Sequence, residues 1–149
     1  MIRIVPFEPS LQADVLVFLE KCMPESKREF QPQGRHAAYT NIGQSMDRCW
    51  CLMDGDQVVG TSAVKRINSR ECELKMLYIY KTYYGNGYGR QLLDLVLERA
   101  REMGCERIYL DTTTWSTRAV RLYKSYGFTP TERYNDNDFA DLFMEKELK

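Results

Sequence analysis

The sequence predicts an α+β domain: a mixed, mostly antiparallel sheet of six to seven strands flanked by about four helices. Three observations carry this expectation. Residues 49–66 hold two apolar runs joined by Asp54-Gly55-Asp56, a hairpin signal. Residues 71–80 alternate, with Cys72, Leu74, Met76, Tyr78 and Tyr80 expected on one core face throughout. Tyr88, Leu92, Val96, Ala100 and Met103 then recur at helical spacing.

In order, residues 2–7 read as a first strand. Pro9 and Ser10 open a helix with Leu11, Val15, Phe18, Leu19 and Cys22 on one face, ended by Pro24. Residues 26–46 are interrupted by Pro32 and Gly34, and Ala37, Ala38, Tyr39 and Ile42 suggest a second helix. A three-strand meander follows at 49–53, 57–66 and 71–80, placing Cys49 and Cys51 on a shared face. The helix carrying Leu92 stops at Gly104. Residues 107–111 form a short strand. Ser116 is expected to cap a helix bearing Ala119, Leu122, Tyr123 and Tyr126, ended by Gly127. Two closing strands are expected at 128–134 and 139–148, around the polar loop Asn135-Asp136-Asn137-Asp138.

The 149 residues fit a single domain, 1–149, with a real core. Lys+Arg and Asp+Glu both number 21, so no basic excess points to nucleic acid. No apolar run approaches the ~20 residues that span a bilayer. The N-terminus is too short and mixed for an export signal, so a cytoplasmic location with reduced thiols is expected. Cys22, Cys49, Cys51, Cys72 and Cys105 contain no CxxC pair and His36 is the one histidine, so no metal site is expected. A cysteine nucleophile is disfavoured because that histidine lies far from Cys72 and Cys105 in sequence.

Gly85-Asn86-Gly87-Tyr88-Gly89 opens a helix. Glycines let the backbone turn tightly and approach a ligand closely. The free amides and dipole of a first helical turn favour an anion such as a pyrophosphate. A Walker loop needs Gly-Lys-Ser/Thr, absent here, and the GxGxG spacing at mid-chain departs from the dinucleotide fingerprint. A tight strand-to-helix turn without a ligand is the alternative reading of the loop alone.

The surroundings narrow the choice. Tyr84-Gly85-Asn86-Gly87-Tyr88-Gly89 resembles the Gln/Arg-x-x-Gly-x-Gly/Ala loop of GNAT N-acetyltransferases, and Leu122-Tyr123-Lys124-Ser125-Tyr126-Gly127-Phe128 resembles their Leu-Tyr-x-x-x-Gly-Phe. Both sit at the family's separation, with residues 107–112 fitting its fifth strand. The resemblance covers residues 71–148 and implies a GNAT-like mixed sheet. Two departures stand out: Tyr84 where the family has Gln or Arg, and Ser116 where many members have Asn.

The resemblance implies an acetyl-CoA-dependent N-acetyltransferase working by direct amine attack in a ternary complex. Leu77, Tyr78 and Ile79 would offer backbone groups to the pantetheine arm and thioester carbonyl. Gly85, Asn86, Gly87, Tyr88, Gly89 and Arg90 would hold the pyrophosphate, and Ser116 would be a weak cofactor contact. Tyr123 would be the general acid, a phenol protonated at neutral pH. Glu73 is the first candidate base and Asp111 the second. Acceptor choice is expected in residues 24–39 and 134–138. There Arg28, Arg35 and His36 could hold a carboxylate and Asp136 and Asp138 an ammonium, or both segments could be solvated loops. A small-molecule amine is the expected acceptor. A protein N-terminal or lysine acetyltransferase, and a non-catalytic acyl-CoA-binding sensor, remain alternatives. The terminal strands could pair two chains into a homodimer.

Overall fold

The computed structural model describes residues 1–148. Seven strands, β1 (Ile2–Pro6), β2 (Arg48–Asp54), β3 (Gln57–Arg66), β4 (Glu71–Ile79), β5 (Arg107–Thr112), β6 (Thr129–Thr131) and β7 (Leu142–Glu147), form one sheet in the order β1-β2-β3-β4-β5-β7-β6. Every pairing is antiparallel except β4 with β5. The helices are α1 (Gln12–Cys22), the single turn α2 (Ile42–Ser45), α3 (Tyr88–Glu102) and α4 (Thr117–Ser125). This is the expected mixed sheet with helices on both faces.

Each face has its own core. Val15, Phe18 and Leu19 of α1 pack with Tyr39 and Ile42 on the face that carries Cys49, Cys51 and Met53. Leu92, Leu93, Val96, Leu97 and Ala100 of α3 pack with Tyr123 and Phe128 on the other. The stripe read from 88 to 103 is therefore the buried side of α3, and burying such a side chain contributes about 1.5–3 kcal/mol.

Several local expectations are corrected. Pro24 does not end α1 abruptly. The chain tightens into a 3-10 turn, Met23–Ser26, with proline tolerated near its start, and stops at Lys27 in a left-handed conformation (φ 61). The second helix is a 3-10 turn, Ala37–Asn41, followed by the one turn of α2. Ser116 stands at the N-cap of α4 without a capping bond, because its hydroxyl is engaged by Thr113 and Arg28. The closing strands are shorter than expected. Residues 132–141 form a loop tied by Thr114 to Asp141 and by Asn137 to its own neighbours.

The most consequential correction lies in β4. Cys72 and Leu74 face the α3 core, but Met76 and Tyr78 face the α1 core, and Leu77 and Ile79 return to the α3 side. The strict alternation fails because Met76 adopts φ 59 and the β3–β4 register slips between Thr61 and Ala63, a bulge. Thr61 Oγ1 donates to the Met76 carbonyl at 2.5 Å and pins it. On the other edge, β4 pairs with β5 only at Glu71–Glu73 against Arg107–Tyr109. Beyond the bulge the two strands part. Gly60 lets β3 stay close there, since a Cβ would lie 3.1 Å from Leu52 Cβ and 3.2 Å from the Tyr78 carbonyl.

Candidate active site

The parting of β4 and β5 leaves an open strand edge whose backbone groups need partners. A cavity of about 390 Å³ occupies the gap. Leu77, Tyr78 and Ile79 line it from β4, Asp111 and Thr112 from β5, and Ser116 and Tyr123 from α4. Glu25, Arg28 and Tyr39 close it from the segment after α1. A second cavity, about 450 Å³, lies between the glycine loop and α4. Leu77, Ile79, Tyr84, Arg118 and Ala119 line both, so the two adjoin along α4.

The glycine loop leaves free donors and open space at the start of α3. Gly85 (φ 84) and Gly87 (φ 81) take conformations that L side chains rarely adopt. A Cβ on either would meet nothing within 4 Å, so the space in front of the loop is open. Gln91 is the first residue of α3 whose amide finds an intrachain acceptor, the Gly87 carbonyl at 3.1 Å. Among the described residues, the amides of Gly85 to Arg90 have none. Those amides and the positive end of α3 therefore fit the diphosphate of a CoA thioester. Asn86 contributes only its amide, since its side chain donates to the carbonyls of Tyr83 (3.2 Å) and Tyr84 (3.3 Å).

Positive charge comes from residues the sequence reading passed over. Arg118 and Arg121 of α4 line the second cavity with Arg90. Arg118 lies over the Tyr84 ring, 4.5 Å from its centroid. The tyrosine that departs from the loop pattern thus carries a guanidinium from another element. The signal was present: Thr117-Arg118-Ala119-Val120-Arg121 puts both arginines on one helical face.

Tyr123 is 6% exposed, its ring 5.8 Å from that of Phe128. Its hydroxyl has no partner within the chain among the described residues. Burial pushes its pKa up, reinforced by Tyr78 and Asp111 and opposed by Arg28, so the phenol stays protonated. Burial first, then Tyr39, does the same at Tyr78.

The two carboxylates differ. Glu73 does not line the cavity; it is 7% exposed beneath the loop before β7. Its Oε2 accepts from Tyr134 Oη at 2.5 Å and Asn135 Nδ2 at 3.2 Å, and pairs with Lys75 Nζ at 3.3 Å. Asp111 does line the cavity, with Oδ2 accepting from Asn135 Nδ2 at 2.6 Å. The polar loop was read for its aspartates, yet Asp138 is exposed beside Arg133 at 3.7 Å. The side chain that reaches the site is Asn135.

Of the basic residues in the segment after α1, Lys27 and Arg28 line the cavity, Lys27 exposed and Arg28 half-buried. Arg35 lies over Phe139 at 4.1 Å. His36 Nδ1 accepts the Gln31 amide at 2.9 Å, and its ring stacks on Tyr39 at 5.4 Å. Cys22 also borders the cavity, but burial, aided by Glu25, pushes its thiol up to about 12, away from a reactive thiolate. Among the described residues no cluster of three or more His, Cys, Asp or Glu is arranged to hold a metal ion, and no helix is long and apolar enough to cross a membrane.

Comparisons with known proteins bear on the fold and the family. YsnE of Bacillus subtilis, an uncharacterized N-acetyltransferase, is 31% identical over 103 residues, 66% of this chain and 68% of that protein. The chain spans 49% of a second relative, YjgM of Escherichia coli, at 34% identity. An acetyltransferase of the GNAT family from Staphylococcus aureus superposes with a TM-score of 0.89 at 22% identity, covering all of both chains. The yncA protein of Salmonella typhimurium, solved with its cofactor acetyl-CoA, superposes at 0.75 with 20% identity, over 99% of this chain and 94% of that one. The sequence model of the acetyltransferase (GNAT) family matches residues 15–128, more than half of the chain. The chain belongs to that family.

Proposed function

We propose that this protein is an acetyl-CoA-dependent N-acetyltransferase that acetylates the primary amine of a small molecule by direct attack in a ternary complex. The observation that carries the reading is the adjoining pair of cavities, one fronted by the unpaired amides of Gly85 to Arg90, the other holding Tyr123 and Asp111 beside the open edge of β4.

The residues divide the work. Gly85, Asn86, Gly87, Tyr88, Gly89 and Arg90 hold the diphosphate through main-chain N–H groups, with Arg118 and Arg121 adding charge. Leu77, Tyr78 and Ile79 present backbone groups to the pantetheine arm and polarise the carbonyl. The acetyl thioester supplies the acyl group. Asp111 takes the proton of the acceptor ammonium, directly or through water, and Tyr123 gives its phenolic proton to the departing thiolate. Asp111 replaces Glu73 as first candidate base because it faces the cavity, whereas Glu73 is enclosed by Tyr134, Asn135 and Lys75. Ser116 is read as a positioning residue for Arg28, at 3.1 Å, more than as a contact to the arm. Five buried free cysteines fit a reducing, cytoplasmic setting.

The test is thiol release from acetyl-CoA across small primary amines, peptides with free N-termini and lysine peptides. Turnover confined to small amines supports the reading. Turnover confined to peptides transfers it to a protein acetyltransferase, and CoA binding without turnover on any acceptor makes the chain a sensor.

A further inference from the structure

Arg28 stands out among the charges of the acceptor cavity by what it lacks. It follows the left-handed Lys27, and its half-buried side chain crosses to the start of α4. There Nη2 donates to Ser116 Oγ at 3.1 Å and Thr113 Oγ1 at 3.4 Å, and those two hydroxyls are themselves joined at 2.7 Å. Among the described residues no carboxylate lies within ion-pair distance of it. Of the other cations at the cavity, Lys75 pairs with Glu73 at 3.3 Å, Arg118 lies on the Tyr84 ring, and Lys27 and Lys81 are exposed to solvent, unlike the half-buried Arg28. Two neutral hydroxyls orient the Arg28 fork without neutralising it, and most of its five N–H donors remain for a planar anion.

That anion is not the diphosphate of the donor. Arg28 lines the cavity of Asp111 and Tyr123 and is absent from the lining of the glycine-loop cavity. Both Arg28 and Asp111 act on the hydroxyls of Tyr78 and Tyr123, Arg28 drawing their pKa down and Asp111 pushing it up. The two opposite charges therefore flank the same reaction centre. Trp115 lines that side of the cavity, and Phe139 backs it, edge-on to Trp115 at 5.6 Å and 5.8 Å from the Arg28 guanidinium. The cavity, about 390 Å³, has room for the acyl end of the donor together with a small acceptor.

We infer that Arg28 captures a carboxylate of the acceptor, so that the substrates are small amino acids or related amines carrying their own carboxylate, with the ammonium directed at Asp111. The inference rests on the reading of this cavity as an acetyltransferase site. A bidentate guanidinium–carboxylate contact in a partly desolvated cavity discriminates strongly against a neutral end group.

The experiment measures kcat/KM for matched pairs: glycine, alanine and β-alanine, each against its decarboxylated or amidated counterpart. Rates are compared near pH 7 per concentration of the ammonium form, the form that Asp111 receives. The carboxylate member of at least one pair is expected to be favoured by tenfold or more, about 1.4 kcal/mol. Arg28→Gln should bring that ratio within about threefold of unity, with Arg28→Lys keeping part of it. The comparison on the unaltered protein decides without the variants should either fail to fold. Equal or better use of the neutral amines, or a preference that survives Arg28→Gln, overturns the anion site and leaves the acetyltransferase reading standing. Absence of transfer to every amine, charged or neutral, overturns both.

Discussion

Replacing Tyr123 with phenylalanine removes one hydroxyl and almost no volume. The ring stays where Phe128 and the α3 core hold it, and the lost hydroxyl leaves no orphaned group, because nothing in the described chain bonds to it. Stability should therefore change by less than about 1 kcal/mol, a shift of roughly 2–4 °C in Tm for a domain of this size. A positioned general acid contributes about 10²–10⁴-fold, roughly 3–5 kcal/mol of barrier. Tyr123→Phe should accordingly lower kcat by about 10²-fold or more while the Kd for acetyl-CoA stays within about threefold. Steady-state thiol release at saturating acceptor measures the first quantity and calorimetric titration the second. Burial holds the phenol pKa above its ordinary value, so the donor persists through pH 10 and contributes no falling limb below it. A kcat within threefold of the unaltered enzyme, or equal loss of rate and cofactor affinity, would refute the assignment. So would a falling limb near pH 9 that vanishes in the variant.

Asp111→Asn should lower kcat at neutral pH by about 10²-fold, whereas Glu73→Gln should chiefly lower Tm by loosening Tyr134 and Asn135; the opposite ranking in paired kinetics and melting curves would restore Glu73 as the base. Arg118→Ala removes a charge-assisted contact of about 1.5–3 kcal/mol, so acetyl-CoA Kd should rise about tenfold or more. The salt dependence of binding should weaken in parallel, and an unchanged Kd would remove Arg118 from the phosphate site. His36 is held neutral, its pKa lowered from 6.5 to about 4, by burial first and Arg35 second. Between those values the unfolded chain binds more protons than the folded one, so stability is full above about pH 6.5 and is lost as pH falls toward 4. Melting curves from pH 7.5 to 4 should show a slope that His36→Gln flattens, and an equal slope in both would place the acid sensitivity elsewhere.

The order of elements was legible because its signals are local. Asp54-Gly55-Asp56 turns the hairpin, the 88–103 stripe buries one helical side, and the glycines at 104 and 127 end their helices in left-handed conformations (φ 78 and 91). The loop and Tyr123 were legible because both motifs lie in contiguous sequence. The bulge at Met76 was not, since a left-handed methionine has no compositional mark and is imposed by the slipped β3 register and Thr61. That slip also redistributes Met76 and Leu77 between the two cores, which strict alternation does not foresee. That Asp111 and not Glu73 lines the cavity was hidden for a related reason. Position on a strand fixes the face of a carboxylate, but a loop 61 residues away, carrying Tyr134, decides whether it is covered. Arg28 likewise meets its hydroxyl partners 85 and 88 residues downstream, a contact only the folded sheet can make.

The central physical claim concerns the peptide nitrogens between Gly85 and Arg90, which the fold leaves without intrachain acceptors. Amide chemical shifts and hydrogen exchange, followed residue by residue as CoA is titrated, read those nitrogens directly. Saturable downfield shifts and slowed exchange at Gly85, Gly87, Tyr88, Gly89 and Arg90, lost in Gly87→Glu, are the predicted result. Tight CoA binding with those resonances unmoved would contradict the account.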